Sequence, residues 1–298
     1  MNNFFKKYTL PEEGHNQWWR YLVGVIVCVI AFIVLSVLFS LFMLDFSSGT
    51  SKFKEDIHPV LLFVFSMSPH VCSVLVISIF VKLFHKRTCL SLITTSNHIS
   101  WNKVFKAFWV FGLLLCFASL GNYLIAPESI SYSFNAGKFF PFLLVILIIT
   151  PLQTTFEELF FRGYFLQWMG KLKSVTVLSI INGLIFMAPH LGNPEMQYSP
   201  VILASTYFLM GFFLALITLK SNGLEYALGV HAVNNLFCGI VLNVEESVLQ
   251  TESLFVNSEP IPIYDLVSMC AVCILFYFFV IKSNSSEFNS SSLSQDVE

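Results

Sequence analysis

The stretch FFPFLLVILIITPLQTTFEELFFRGYFLQW, residues 139–168, decides the fold. Residues 139–156 carry no charged side chain, and about 20 mostly apolar residues suffice to cross a bilayer as a helix. Directly behind that run come Glu157, Glu158 and Arg162. Charge inside hydrocarbon costs roughly 2.5–3.5 kcal/mol per group on insertion scales, so these three residues mark function. The rest of the chain matches: 56% of its 298 residues are apolar, only 11% are charged, and mean hydropathy is +0.74. Soluble domains carry about 25% charged residues.

Working outward, apolar windows recur at 21–44, 59–84, 104–126, 139–168, 175–190, 200–219, 224–243 and 262–281. They predict an all-α polytopic membrane protein with eight transmembrane helices. The expected organisation is a cytoplasmic segment at 1–20, one membrane domain at 21–281 and a polar, Ser-rich disordered tail at 282–298. The first window is too long for a signal-peptide core and lacks a small-residue cleavage site, so it reads as a retained anchor. With eight spans, twelve Lys and Arg fall on the side of both termini. Three, Lys52, Lys54 and Lys138, fall on the other, which predicts cytoplasmic termini. The acidic loop Glu245–Glu259 reads as a solvated face.

A net charge of −2 provides no basic surface for nucleic acid. The seven cysteines are scattered and odd in number; Cys270 and Cys273 form a C-x-x-C inside a Phe-rich span and read as apolar packing.

Polar residues gather in three spans: Glu157, Glu158 and Arg162 in the fourth, His190 at the end of the fifth, and His231, Asn234 and Asn235 in the seventh. Helical spacing puts Glu158 beside Arg162 and His231 beside Asn235, while Glu157 is turned about 100° from Glu158. A rise of 1.5 Å per residue sets Glu157, His190, His231 and Asn235 roughly 18, 22, 10 and 16 Å below the cytoplasmic ends of their helices. Four groups on three helices thus reach overlapping depths, and a buried polar site formed by spans 4, 5 and 7 is expected.

Such a set suits hydrolysis. Glu157 can take a proton from water and His190 can orient that water. His231 and Asn235 can donate to an oxyanion, and Glu158 with Arg162 can brace the helix carrying the base. A zinc ion on Glu157, His190 and His231 is the alternative, although H-E-x-x-H is absent; the favoured reading needs no cofactor.

Glu-Glu-x-x-x-Arg at 157–162, Phe-x-x-x-His at 186–190 and His-x-x-x-Asn at 231–235 together resemble the CPBP family. These are the CAAX-processing and bacteriocin-processing intramembrane proteases, among them the Rce1-type prenyl-protein endopeptidases. The resemblance covers about residues 139–243. It implies that Glu157 and His190 activate water, that His231 and Asn235 form the oxyanion hole, and that Glu158 and Arg162 support the site. It also implies a membrane-associated peptide or protein substrate and, from Leu-Gly-Asn-Pro-Glu after His190, a bacterial member in the inner membrane. Pro189 departs from the family pattern; it lacks a backbone donor and disfavours helical geometry at Ala188.

Other membrane proteases fit poorly, since Gly-x-Ser-Gly, H-E-x-x-H and Gly-x-Gly-Asp are all missing. Tyr264-Asp265 occurs alone, and Asp265 reads as a helix-start residue. The bland readings are a structural ion pair for the acidic cluster, an interfacial role for His190 and interhelical hydrogen bonds for His231 and Asn235. His70, alone after Pro69, reads as a core histidine, and Asn182, two turns before His190, as a possible support. Two further function classes are a non-proteolytic scaffold or bacteriocin-immunity protein of the same family, and a transporter.

Overall fold

The computed structural model describes residues 6–48, 59–172, 174–249 and 251–283; the expected tail at 284–298 lies outside them. Eight helical segments stand where the apolar windows predicted them. They are α1 (Trp18–Ser48), α2 (Pro59–Phe80, ending in a π-helical turn Val81–His85), α3 (Trp101–Ile125) and α4 (Ala136–Glu157). Then come α5 (Val175–His190), α6 (Pro200–Ser221), α7 (Glu225–Ile240) and α8 (Pro262–Phe276, continuing in a π-helical segment Tyr277–Lys282). Six have the length and apolar composition of membrane spans. The other two, α5 and α7, are 16 residues each and reach about 24 Å, short of a hydrocarbon core of roughly 30 Å. The expected eight crossings are therefore six spans and two shorter helices, of which α7 is buried along most of its length.

Local sequence explains the helix ends. Asn135 caps α4 by accepting from the Lys138 amide, and Ser174 caps α5 by accepting from the Val177 amide, each at 3.3 Å. Pro200 and Pro262 open α6 and α8, where the missing N–H costs nothing. Asn222 closes α6 at φ +61°, the left-handed cap that glycine or asparagine supplies. Asp265 stands in the first turn of α8, a helix-start position as expected. Cys273 packs in the main apolar core, and all seven cysteines are free thiols.

Apolar side chains cover the outside. On α1, Ile26, Ile30, Ile33, Val37, Leu38 and Leu41 are all about half exposed, a surface that only lipid can cover over such a length. Inside, α5 and α6 approach closely because Gly183 faces Gly211; a Cβ on Gly211 would lie 2.9 Å from the Gly183 Cα.

At one end, three short strands tie the connections together in the order β1 (Ile130–Tyr132), β3 (Phe255–Asn257), β2 (Leu242–Val244). Ile130 pairs with Asn257 antiparallel, and Leu242 with Phe255 in parallel. At the other end the short helical turn Lys6–Thr9 is docked, with Tyr8 buried.

Candidate active site

Below Glu157 the helical ladder changes pitch: Glu158–Phe165 is π-helical before α-helix resumes at Leu166–Met169. A π-turn leaves backbone carbonyls facing outward, and such turns gather at functional sites. Here side chains satisfy two of those carbonyls. Asn182 of α5 donates to Phe161 O at 2.6 Å, and the Tyr8 hydroxyl donates to Arg162 O at 3.1 Å and Leu92 O at 2.6 Å. Gly163 lets the segment touch the Leu92 backbone; a Cβ there would stand 3.0 Å from Leu92 O. Asn182 thus holds the segment that carries the acidic motif.

Arg162 is sealed from solvent and pairs with Glu158, Nη1 to Oε1 at 2.8 Å. Its guanidinium also lies 4.2 Å over the Phe186 ring and donates to Gly211 O at 3.4 Å. The expected i, i+4 pair is present. His231 joins the two carboxylates: its Nδ1 is 2.7 Å from Glu158 Oε1, and its Nε2 is 3.6 Å from Glu157 Oε2. Glu158 therefore fixes the ring that faces Glu157. With Nδ1–H donated to the carboxylate, Nε2 carries the lone pair on the Glu157 side; protonated, it carries a donor there.

Glu157 is the last residue of α4, 8% exposed, and its Oε2 lacks a hydrogen-bond partner. Its Oε1 accepts from Gln153, one turn back, and the Gln153 carbonyl accepts from Asn235 Nδ2 at 3.2 Å. Asn235 thus meets Glu157 through Gln153. Asn234 donates to Asn235 Oδ1 at 3.1 Å, so the two asparagines are coupled.

His190 closes α5, which stays helical through Pro189 to its last residue. The disturbance expected from Pro189 does not end the helix, which runs one residue past it; the proline forfeits its own ladder bond, to the Ile185 carbonyl. Nδ1 of His190 donates to Phe186 O at 2.7 Å, and the ring stacks on Tyr207 with centroids 4.3 Å apart. The Tyr207 hydroxyl donates to Glu195, whose other oxygen accepts the Val248 amide at 3.0 Å.

Two site residues escaped the sequence. His70, expected as a core histidine, stands with Nε2 3.8 Å from Glu157 Oε1. Gln153 was legible from its i, i+4 spacing to Glu157, but an amide in a span reads equally as a helix–helix contact. Asn182, read as a possible support, contacts the π segment directly. No three His, Cys, Asp or Glu side chains among the described residues are grouped as a metal-holding set.

Residues 136–237, which contain all three motifs, match the family model "Type II CAAX prenyl endopeptidase Rce1-like". Over 285 residues the chain is 30% identical to "Uncharacterized protein YyaK" of Bacillus subtilis (strain 168), covering 93% of this chain and 94% of that protein. The chain belongs to the Rce1-like family. The family match spans this Rce1-like chain from the start of α4 into α7, the part that carries Glu157, His190 and His231. The family and the apolar helices together make it an integral membrane protein. No solved structure matches it.

Proposed function

We propose that this chain is an intramembrane endopeptidase that hydrolyses a peptide bond of a membrane-associated protein or peptide. The observation that carries the reading is His231 held between Glu158 and Glu157, which leaves the Glu157 carboxylate facing the imidazoles of His231 and His70 with one oxygen lacking a hydrogen-bond partner.

Each group has a task in that reaction. Glu157 takes a proton from water as the water oxygen bonds to the scissile carbonyl carbon. His190 orients the water, its ring fixed by Phe186 O on one edge and by Tyr207 on one face. His231 and Asn235 stabilise the oxyanion, a contribution that grows where bulk water is excluded. Glu158 and Arg162 stay paired and hold both His231 and the π segment in place. The chemistry proposed is metal-independent. One feature favours a second reading with zinc on Glu157, His190 and His231: both imidazoles have Nδ1 engaged and Nε2 free for a ligand bond.

The proposed setting is a bacterial inner membrane with both termini cytoplasmic, which puts the Tyr8 turn on the cytoplasmic side. The test compares N-termini of membrane proteins by mass spectrometry in cells with wild type, Glu157→Ala, or no protein. New termini dependent on wild type, with the variant equally abundant, are expected. Identical termini in wild type and variant, with both differing from the deletion in phenotype, would put the scaffold reading in its place, and substrate-coupled ion flux would put the transporter there.

A further inference from the structure

The scheme above gives His70 no task, yet His70 faces the same carboxylate as His231. His231 Nε2, from α7, is 3.6 Å from Glu157 Oε2; His70 Nε2, from α2, is 3.8 Å from Oε1. Two imidazoles therefore flank opposite oxygens of one carboxylate. Phe32 of α1 packs edge-on to the His70 ring with centroids 4.7 Å apart, and Phe156 does so at 6.2 Å. Nδ1 of His70 is sealed from solvent without a hydrogen-bond partner. Buried polar atoms are nearly always satisfied, so an orphan at this position calls for an explanation. Packing alone does not provide one: apart from His70, Pro59–Phe80 holds only apolar residues, serines and one cysteine, and a Leu, Ile or Phe fills the space without stranding a ring nitrogen.

We propose that His70 is the proton-exchange partner of Glu157 in peptide-bond hydrolysis, an assignment that rests on the endopeptidase reading. The scheme starts from ionised Glu157 and neutral His70. An O–H bond of water breaks as its oxygen attacks the carbonyl carbon; the proton passes to Glu157 and the C=O π pair moves to oxygen. Glu157 passes the proton to His70 Nε2. When the tetrahedral intermediate collapses, the C=O double bond re-forms and the C–N bond breaks, its electron pair staying on nitrogen. That nitrogen takes the proton from the His70 imidazolium. Both residues end in their starting states, and water has been divided between acid and amine. The 3.8 Å separation is in keeping with the rule that catalytic hydrogen bonds tighten only once substrate is bound.

The titratable and charged groups that act on His70 are Glu157 and His190; those acting on Glu157 are His231, His190, His70 and Arg162. The experiment uses isolated membranes holding the full chain and follows the initial rate at which wild-type-dependent N-termini appear, across a range of pH, with and without imidazole. His70→Ala is expected to lower the rate about a hundredfold, to remove one limb of the bell-shaped pH–rate curve and to recover part of the rate on addition of imidazole. His70→Asn keeps polarity but cannot carry a proton. It is expected to unfold at the wild-type temperature, to be as slow as His70→Ala, and to stand in for the alanine variant if that one does not fold. A wild-type rate in His70→Asn overturns the assignment, as does a slow His70→Ala with an unchanged pH profile and no response to imidazole. Glu157→Gln is run alongside. If it keeps the wild-type rate, Glu157 is not the base and the proposed hydrolysis at this site fails with it; if it is inactive while His70→Asn is not, only the role of His70 falls.

Discussion

Replacing Arg162 by methionine removes a guanidinium that is fully enclosed and leaves Glu158, equally enclosed, without its cation. Breaking a buried ion pair from one side costs about 3–5 kcal/mol, since the surviving charge has no solvent to turn to. Here the loss belongs at the upper part of that range, because the contact with Phe186 and the bond to Gly211 O go with it. At about 2 °C per kcal/mol for a chain this long, the unfolding midpoint should fall by roughly 8–10 °C. The assay is thermal unfolding of the purified full chain in detergent, followed by tryptophan fluorescence. Glu158→Gln with Arg162→Met leaves no unpaired charge, and a glutamine oxygen can still accept from His231 Nδ1. The double variant should therefore unfold above Arg162→Met, and a double-mutant cycle should report favourable coupling. A midpoint for Arg162→Met within about 2 °C of wild type, or a double variant below both singles, would refute the view that this pair holds the π segment.

Two other outcomes are expected. Asn182→Leu strips the donor from the Phe161 carbonyl and should destabilise the chain by about 1–3 kcal/mol, read in the same unfolding assay; an unchanged midpoint would mean that the carbonyl finds another partner. A metal chelator added to isolated membranes should leave the wild-type-dependent N-termini unchanged, whereas loss restored by Zn²⁺ would favour the zinc reading over the metal-independent one.

What could be read in the sequence followed from local periodicity and composition. Apolar windows located all eight helical segments, and the i, i+4 rule placed Glu158 beside Arg162, which the structure bears out at 2.8 Å. Depth arithmetic brought Glu157 and His231 within reach of each other, and they lie 3.6 Å apart. The misses have a common cause, since each depends on how separate helices rotate and dock. His70 is far from Glu157 along the chain, and only the packing of α2 on α4 makes them neighbours. Tyr8 lies in a segment with no apolar periodicity, and its reach to Arg162 O depends on a docking that no window measures. The π-helical pitch of Glu158–Phe165 has no compositional signature; the partners at Phe161 O and Arg162 O that accommodate it come from α5 and the N-terminal turn. By length α5 and α7, at 16 residues each, fall short of the six longer helices, and apolar windows alone do not separate the two groups.

The way the helices are tied to one another has a mechanical consequence. The sheet fastens the α3–α4 and α7–α8 connections, and Glu195 fastens the α5–α6 connection to Val248. Among the described residues, α1 and α2 take no part in either tie. Their own anchorage is at the opposite end, where His85 Nε2 meets the Tyr164 hydroxyl at 2.8 Å and that hydroxyl donates to Arg20 O at 3.0 Å. At the sheet end α2 is held by apolar packing, Phe63 against Phe142, Ile146 and Leu236. His70 stands about 22 Å along α2 from His85, so a tilt of α2 by about 3° about that polar anchorage displaces its ring by roughly 1 Å, the shift that separates its Nε2 from hydrogen-bond contact with the Glu157 carboxylate.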